Sequence, residues 1–417
     1  MPKLAVLSMH TSPLAQPGTG DGGGMNVYVR ELSSALARNG VECEVFTRAD
    51  DPSCPATVDV EPGFRVHHIA AGPLGPVAKE ALPDLVSTWT SGVASRLAMM
   101  AAAGRPVDAI HANYWLSGVA GHTLKHELDI PLLVTFHTLD RVKADASPEE
   151  LFASEPARRA QAEADIVGCA DAVVASCSVE ADQLIDLYGA VPDRIVIVAP
   201  GVDHAFFGPG DQAQARRAVG LPTHDPMVLF AGRIHPLKGL TVAVEALAEV
   251  RSAGLPRASM VVIGGPSGPR GDEEMTKVGR LIDSKGLGSA VRMLAPQRHE
   301  ILSTYYRASD ACVVPSHSES FGLVALEAAA CGVPVVASAV GGLTTLIDHR
   351  RTGFLIEGRD PSDFAKPIGE ILADRSLARR LGRSAAARAR AYTWRSAAES
   401  LWERGELLTS SVLVACG

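Results

Sequence analysis

Short runs of valine, isoleucine and leucine alternate along this chain with longer stretches of helical periodicity. This alternation is typical of parallel βαβ units, in which a helix crosses back over the sheet between two parallel strands. A first set of strands is predicted at residues 3–9, 42–47, 109–112, 132–136, 172–175 and 195–198. The helices of this set are predicted at residues 25–39, 84–103, 115–127, 158–169 and 179–187.

A proline and glycine break at residues 199–203 separates this set from a second one. Its strands are predicted at residues 227–231, 259–263, 291–294, 311–314 and 335–337, and its helices at 239–253, 273–284, 299–308 and 322–330. Three more helices are predicted at 361–373, 377–392 and 394–408. The sequence therefore predicts an α/β protein with two doubly wound, Rossmann-like lobes and a cleft between them.

The composition argues against several classes of protein. The 417 residues include 39 Lys+Arg and 47 Asp+Glu, and the resulting charge of −8 disfavours nucleic acid or an anionic membrane as a general partner. No apolar run approaches the ~18–20 residues that span a bilayer. The seven cysteines are odd in number, scattered and never spaced C-x-x-C, so we expect reduced thiols in a cytoplasmic protein.

A glycine-rich loop follows the first predicted strand, and Gly18, Gly20 and Gly23 spell the motif G-x-G-x-x-G. Such a loop lets backbone N–H groups approach a phosphate at the positive end of the next helix. Dinucleotide binding also needs an acidic residue at the end of the second strand, and none is well placed here. The loop therefore favours another phosphate over NAD, with a loop that binds no ligand as the remaining alternative.

Charged residues follow two predicted strands of the second lobe. Arg233 and Lys238 come after the strand at 227–231, where parallel sheets bind ligands, and both are donors suited to phosphate. Glu319 and Glu327 follow the strand at 311–314 and lie in the next loop and helix. Because the neighbours of Glu327 are apolar, its carboxylate is expected to have a partner.

These residues resemble the sugar-nucleotide signature of the retaining GT-B glycosyltransferases of family four, an E-x7-E such as Glu319 to Glu327. The similarity runs nearly end to end through residues 10–29, 113–118, 136–139, 155–159, 264–269 and 315–323. The long first-loop motif at 10–29 resembles an actinobacterial branch of the family. That branch transfers N-acetylglucosamine from UDP-GlcNAc to 1D-myo-inositol 3-phosphate, which gives the precursor of mycothiol.

The resemblance implies roles for residues of both lobes. Uridine diphosphate would lie in the second lobe, where Arg233 and Lys238 would bind the diphosphate. Glu327 would bind the ribose and Glu319 the donor sugar. The implied catalytic residues are Arg233, Lys238, Glu319 and His137, the last meeting the sugar from the first lobe. The further implied donor-binding residues are Gln16, Pro17, Gly24 and Gln297.

For the acceptor, the resemblance implies a phosphate-binding set and an inositol-binding set. The phosphate set is Lys79, Tyr114, Thr138 and Arg158. The ring set is His10, Asp21, Gly22, Gly23, Gly24, Met25 and Asn26. Two positions depart from the family: Asp140 stands where a small residue is more common, and Gln297 stands where an arginine is found near the uracil.

The resemblance also implies the domain boundaries and the cofactor requirement. The acceptor lobe would span residues 1–200, with 393–417 packing back on it, and the UDP-sugar lobe would span 201–392. No cofactor would be needed for catalysis, and a non-catalytic Mg²⁺ would bind main-chain carbonyls. Those carbonyls belong to Tyr306, Arg307, Ser309 and Val333. The partners would be the two substrates and, in a homodimer, a second copy of the chain.

Three alternatives remain at this point. One is another UDP-sugar-dependent enzyme of the same fold, either similar to sucrose-phosphate synthase or from an aminoglycoside pathway. The phosphate set argues against the aminoglycoside type, since its acceptor carries no phosphate. The others are an NAD-dependent oxidoreductase, which would use the same glycine loop, and a two-lobed solute-binding protein.

Overall fold

A computed structural model describes residues 1–18, 22–146 and 158–416. The chain divides into two compact units. The first contains Met1–Ala15, Gly24–Pro200 and Trp394–Gly417, and the second contains Gln16–Gly23 and Gly201–Thr393. Residues 16–23, which we had assigned to the first lobe, thus group with the second, because Gly18 packs against Pro296 there.

The first unit is built on an eight-stranded sheet with the order β3-β4-β2-β1-β5-β6-β7-β8. All neighbouring strands are parallel except β3 and β4, which are antiparallel. The strands are β1 (Lys3–Leu7), β2 (Glu42–Arg48), β3 (Thr57–Glu61), β4 (Phe64–Ile69), β5 (Ala109–Asn113), β6 (Leu132–Thr135), β7 (Ala172–Ala175) and β8 (Ile195–Ile197). The helices are α1 (Gly24–Arg38), α2 (Val86–Ala102), α3 (Trp115–Leu128), α4 (Asp140–Ala146), α5 (Arg158–Cys169) and α6 (Ser178–Tyr188).

The second unit has a six-stranded parallel sheet with the order β11-β10-β9-β12-β13-β14. Its strands are β9 (Met227–Ala231), β10 (Ser259–Ile263), β11 (Val291–Leu294), β12 (Ala311–Val314), β13 (Val335–Ser338) and β14 (Gly353–Ile356). Its helices are α7 (Gln212–Ala218), α8 (Leu240–Ser252), α9 (Gly268–Ser284), α10 (His299–Ala308), α11 (Leu323–Ala330), α12 (Leu343–Leu346), α13 (Pro361–Ala373) and α14 (Arg375–Ala389). Short 3-10 helices occur at Lys79–Leu85, Pro192–Arg194 and Pro236–Lys238.

The last helix, α15 (Trp394–Thr409), belongs to the first unit and packs against α1. The ring of Trp394 lies edge-on to that of Tyr28 of α1, with 5.9 Å between the ring centroids. The expectation that the C-terminal helix returns to the first lobe is therefore confirmed. None of the helices among the described residues is long and apolar enough to cross a membrane.

Both cores lie against strands that are buried on their two faces. Every residue of β6 and of β12 is buried, as expected for a parallel sheet covered by helices on both sides. Trp89 of α2 is fully buried in the first core, and Phe364 of α13 is 1% exposed in the second. The continuous apolar runs seen in the sequence therefore correspond to central strands.

The strand order places one crevice in each unit. The first strand of each unit, β1 or β9, pairs on one side with the strand that follows it, β2 or β10, and on the other with a later one, β5 or β12. At such a reversal the connections leave in opposite directions, which opens a crevice at the carboxyl ends of the strands, where α/β proteins bind ligands. The predicted site residues follow these six strands or their neighbours.

Candidate active site

The loop after β9 positions the two cations of the second unit. It leads into the 3-10 helix Pro236–Lys238, whose first turn is capped by His235, since Nδ1 of His235 accepts the N–H of Leu237 at 3.3 Å. Gly239 follows with φ of +68°, and a Cβ there would lie 2.1 Å from the carbonyl oxygen of Pro315. Only glycine permits this approach, which brings the loop after β12 alongside Lys238.

Glu319 lies in that second loop and pairs with Lys238. The Nζ of Lys238 donates to Oε2 of Glu319 at 2.6 Å, and Ser316 Oγ donates to the same oxygen at 3.2 Å. The side chains of the pair are 28% and 18% exposed, so both remain accessible to a ligand. Arg233 is held by Ser267, whose Oγ accepts a hydrogen bond from Nη1 at 3.1 Å.

Glu327 is the buried carboxylate of the E-x7-E pair. It lies in α11, is 8% exposed, and accepts a hydrogen bond of 2.8 Å from the hydroxyl of Tyr306, which is fully buried in α10. Burial raises the pKa of Glu327 to about 7, and the hydrogen bond from Tyr306 opposes this rise. The prediction that Glu327 has a partner is confirmed, and the partner is a residue for which only a main-chain role was expected.

The described residues of the glycine loop, 18, 22 and 23, and the preceding Gln16 and Pro17 belong to the second unit. Nε2 of Gln16 donates to the carbonyl of Gln297 at 3.3 Å, so the structure brings together two predicted donor-binding residues. Pro17 lies between Gln16 and Gly18 in this segment, and a Cβ placed on Gly23 would lie 3.1 Å from Nε of Arg233.

The ring set predicted for the acceptor is consequently split between the two units. Gly22 and Gly23 belong to the second unit, outside the predicted boundary of the acceptor lobe, and their role at the inositol ring stays a prediction. The physical reason is that their segment packs on the second unit, next to Arg233. Asp21, predicted to line the same ring, lies outside the described residues.

In the first unit, cations and a histidine gather around Tyr114, which follows β5. Nζ of Lys79 lies 5.9 Å from the centroid of its ring, and the ring of His10 lies 5.0 Å away. Tyr114 is 5% exposed and has φ of +75°, a left-handed conformation that is strained for a bulky residue. Strain of this kind clusters at ligand-binding and catalytic sites.

Arg159, which the sequence analysis missed, joins Tyr114 to Thr138. Its guanidinium lies 4.9 Å from the ring centroid of Tyr114, donates to the hydroxyl of Tyr114 at 3.1 Å and donates to Oγ1 of Thr138 at 3.1 Å. It is 1% exposed and forms an ion pair of 2.7 Å with the buried Glu163. The unusual Asp140 lies 3.9 Å from the same guanidinium, so its charge is balanced in this cluster.

Arg158 lies elsewhere. Its side chain is 62% exposed and pairs at 3.4 Å with Asp84, which is also exposed. A helical pattern in the sequence could have identified Arg159 as the buried arginine, because the buried residues of α5 recur at helical spacing from Arg159 through Glu163 to Ile166. The structure therefore brings together three of the four predicted phosphate residues, joined by Arg159, and the phosphate-binding role of Arg158 stays a prediction.

His137 follows β6 and is fixed by a polar network. Its Nε2 lies 2.9 Å from Oδ1 of Asn113, and its ring lies edge-on to Tyr28 at 4.8 Å. Burial, with a smaller effect from His111, lowers the pKa of His137 to about 3, so the imidazole is neutral at physiological pH. Since an amide oxygen only accepts, Nε2 carries the proton. His137 also has a positive φ of +61°.

The first turn of α1 contains the remaining predicted acceptor residues. Gly24 is exposed, Met25 is half-buried, and Asn26 is buried with its amide donating to Oγ1 of Thr11 at 2.8 Å. The first turn has no acidic residue, so the positive end of the helix dipole is not neutralised there. Asn26 thus holds the loop after β1, and the helix terminus itself is suited to an anion.

Two of the four carbonyls predicted to hold Mg²⁺ accept hydrogen bonds within the chain. The carbonyl of Tyr306 accepts two hydrogen bonds from Ser309, from its N–H at 2.9 Å and its hydroxyl at 2.7 Å. The carbonyl of Ser309 accepts one from Gln212 at 3.0 Å. The Mg²⁺ site, with the carbonyls of Arg307 and Val333 as its other ligands, stays a prediction, and no catalytic step is derived through a metal at this position.

Comparisons with known proteins agree with this geometry. The profile of the family "Glycosyl transferases group 1" matches residues 211–388, and that of the "Glycosyl transferase 4-like domain" matches residues 23–201. A D-inositol 3-phosphate glycosyltransferase from Acidothermus cellulolyticus is 44% identical over 402 residues, which cover 96% of this chain and 89% of that protein. A protein of the same name from Actinosynnema mirum is 45% identical, with 96% of each chain covered.

Solved structures extend the similarity to the fold. Sucrose-phosphate synthase from Thermosynechococcus elongatus superposes with a TM-score of 0.90 at 33% identity, covering 99% of this chain and 100% of that one. HepE from Anabaena, solved with UDP and glucose, superposes with a TM-score of 0.76 at 19% identity, covering 98% of this chain and 100% of that one, which supports the fold alone. The chain therefore belongs to the group 1 glycosyltransferases and is a hexosyltransferase of the GT-B fold.

Proposed function

We propose that this enzyme transfers N-acetylglucosamine from UDP-GlcNAc to 1D-myo-inositol 3-phosphate, with retention of the anomeric configuration. The names of the full-length relatives support an inositol phosphate as the acceptor. In this proposal the product is the precursor of mycothiol and the reaction takes place in the cytoplasm.

The donor is assigned to the second unit. Departure of the diphosphate builds negative charge on the leaving oxygen, and Arg233 and Lys238 supply fixed positive charge next to it. Glu319 pairs with Lys238 in the structure. When the diphosphate replaces Glu319 as the partner of Lys238, the carboxylate of Glu319 accepts a hydrogen bond from a hydroxyl of the donor sugar. Glu327 in its ionised form accepts hydrogen bonds from the ribose hydroxyls. In this arrangement the side chains stabilise the leaving group, and the reaction needs no divalent cation.

The acceptor is assigned to the first unit, and the observation that carries the proposal is the cluster around Tyr114. Lys79, Arg159 and the hydroxyls of Tyr114 and Thr138 lie together at the carboxyl edge of the sheet. Each charge-assisted hydrogen bond contributes about 1.5–3 kcal/mol, so Lys79 and the two hydroxyls together would contribute several kcal/mol to the free energy of phosphate binding. Arg159 is committed to Glu163 and acts by orienting Tyr114 and Thr138.

The proposed chemistry balances without a protein nucleophile. The acceptor hydroxyl oxygen bonds to the anomeric carbon on the face from which the diphosphate leaves. The bond between that carbon and the phosphate oxygen breaks, and the hydroxyl proton passes to the departing phosphate. Neutral His137, with its proton on Nε2, orients the donor sugar and does not act as an acid, because its pKa is about 3.

The test is to incubate the protein with UDP-GlcNAc and 1D-myo-inositol 3-phosphate and to follow UDP and product by mass spectrometry. UDP-glucose in place of UDP-GlcNAc tests the donor, and free myo-inositol tests the need for the phosphate. Assays of desalted enzyme with and without Mg²⁺ test the metal requirement. Formation of UDP that requires no acceptor, or equal turnover of phosphorylated and free inositol, would refute the acceptor assignment.

Sucrose-phosphate synthase suggests a second acceptor class, because its structure superposes over nearly the full chain at 33% identity. Fructose 6-phosphate is therefore included as an acceptor with both donors. Preference for it over inositol 3-phosphate would favour this second function. NAD is included in a calorimetric titration beside UDP, and binding of UDP without binding of NAD rejects the oxidoreductase alternative.

A further inference from the structure

Four metal-binding side chains meet on the first unit, apart from the residues described above. They are His122 and His126 of α3, Cys169 at the end of α5, and Cys416 in the C-terminal tail. One ligand atom from each lies within 4.8 Å of all the others. Nε2 of His126 is 2.9 Å from Sγ of Cys416 and 3.3 Å from Sγ of Cys169, and the rings of His122 and His126 are 5.1 Å apart.

The fold holds this cluster together from three separate segments. The four-residue spacing of His122 and His126 places both rings on one face of α3. Lys125, between them, donates to the carbonyl of Cys169 at 2.7 Å and to the carboxylate of Asp171 at 2.9 Å. Lys125 and Asp171 have side-chain exposures of 1% and 2%, so this ion pair is a fixed part of the core.

The same ion pair fixes the C-terminal tail. Oδ1 of Asp171 accepts the N–H of Val414 at 2.7 Å, and the carbonyl of Val414 accepts a hydrogen bond from Lys125 at 2.9 Å. These bonds do not involve sulfur, and they place Cys416, two residues after Val414, next to His126. The position of Cys416 is therefore set by contacts that are independent of any bond it makes itself.

Cys169 and Cys416 form a disulfide in this structure, contrary to the expectation of reduced thiols. The separation of 247 residues hid this proximity from the sequence pattern. A disulfide, however, uses only two of the four side chains and assigns no role to the two histidines. Two cysteines and two histidines are the ligand set of tetrahedral Zn²⁺ sites, in which zinc–sulfur and zinc–nitrogen bonds of about 2.3 and 2.0–2.1 Å hold the ligand atoms about 3.3–3.8 Å apart.

We propose that the reduced chain binds one Zn²⁺ through His122, His126, Cys169 and Cys416. The two distances from His126 to sulfur are within a few tenths of an ångström of the separation that such a site needs. On binding, both thiols lose their protons to solvent and two Zn–S and two Zn–N bonds form, with no transfer of electrons. Four protein ligands leave no open position for a substrate, so the metal is structural and fastens the tail to α3 and α5.

The test uses the untagged full chain, because a polyhistidine tag would bind the probe. The protein is reduced with a water-soluble phosphine, which converts the disulfide and water into two thiols and a phosphine oxide. It is then stripped of metal and titrated with Co²⁺. We expect one equivalent of Co²⁺ to give the visible bands of a tetrahedral site and the near-ultraviolet band of thiolate ligands. One equivalent of Zn²⁺ should abolish both and raise the melting temperature.

Matched variants assign the ligands. Cys416→Ser and His122→Ala should lose the tetrahedral spectrum and the stabilisation by Zn²⁺. Cys54→Ser and His224→Ala, which alter a free cysteine and an exposed histidine elsewhere, should keep both. The proposal is overturned if the reduced chain shows no such spectrum, if the spectrum survives Cys416→Ser, or if only five of the seven thiols, counted in denaturant, titrate after phosphine treatment.

Discussion

Replacing Tyr306 by phenylalanine tests whether Glu327 binds UDP as a carboxylate. The hydroxyl of Tyr306 donates to Glu327 and thereby stabilises the ionised form of a buried side chain whose pKa is about 7. A hydrogen bond to a charged group contributes about 1.5–3 kcal/mol. At 1.36 kcal/mol per pKa unit, its loss should raise the pKa of Glu327 by about one to two units.

The expected loss of affinity depends on pH. With a pKa of about 7, roughly three quarters of Glu327 is ionised at pH 7.5, whereas a pKa of about 8–9 leaves between about a quarter and a few per cent ionised. If only the carboxylate binds the ribose, Tyr306→Phe should weaken UDP binding by about 3- to 25-fold at pH 7.5. At pH 9 Glu327 is almost fully ionised in the unaltered protein and at least about half ionised in the variant, so the difference should shrink to about twofold or less.

Calorimetric titration of UDP into both proteins between pH 6.5 and 9 measures this directly. Comparing the two proteins at each pH cancels the titration of UDP itself. Tyr305→Phe is the matched control, because Tyr305 is the preceding, largely buried tyrosine of the same helix and makes no described bond to Glu327. No loss of affinity in Tyr306→Phe, or a loss of the same size at every pH, would refute the reasoning.

Three further predictions concern the cations and the acceptor. Lys238→Ala should lower kcat by about 10²- to 10³-fold, as loss of one preorganised donor to a developing charge does. Lys79→Ala should mainly raise KM for the acceptor, by about 10-fold or more. Steady-state kinetics in which the two effects are exchanged would contradict this assignment. Free myo-inositol should be used about 10⁴-fold less efficiently than its 3-phosphate, since a site built for a polar group rejects the analogue that lacks it, and competition assays of kcat/KM measure the ratio. Arg159→Met should lower the free energy of unfolding by about 3–5 kcal/mol, because it leaves the buried carboxylates of Glu163 and Asp140 without their cation. Chemical denaturation should show partial recovery in the double variant with Glu163→Met, and an equal loss in both would contradict the ion-pair explanation.

The sequence predicted the central strands well, because each is buried on both faces and reads as a continuous apolar run. It missed β3 and β4, which lie at the edge of the first sheet. In β4 the buried Phe64 and Val66 alternate with polar or half-buried positions, and Arg65 and His67 interrupt the apolar pattern. The strand β14, at the edge of the second sheet, was also missed, since it begins at Gly353 and only three apolar residues follow to mark it.

For the candidate site, the sequence predicted which types of residue take part better than it predicted which of them contact one another. It predicted that Glu327 needs a partner, but a partner 21 residues away on another helix has no local signal. It also missed Arg159, which joins Tyr114 to Thr138, because a family motif gives the position of a residue and not its contacts. The four-residue interval between Arg159 and Glu163 was the available clue.

Residues 16–23 leave the first unit, join the second and return, so the chain passes between the units at four places: after Ala15, Gly23, Pro200 and Thr393. A protein engineer who wishes to exchange donor units between relatives therefore cannot cut the gene at one or two sites. A chimera that takes only the segment from Gly201 to Thr393 would combine Gln297 and Arg233 of one parent with Gln16 and Gly23 of the other. Under the proposed donor assignment, specificity for the nucleotide sugar is inherited from two separate stretches of the gene, and both must come from the same parent.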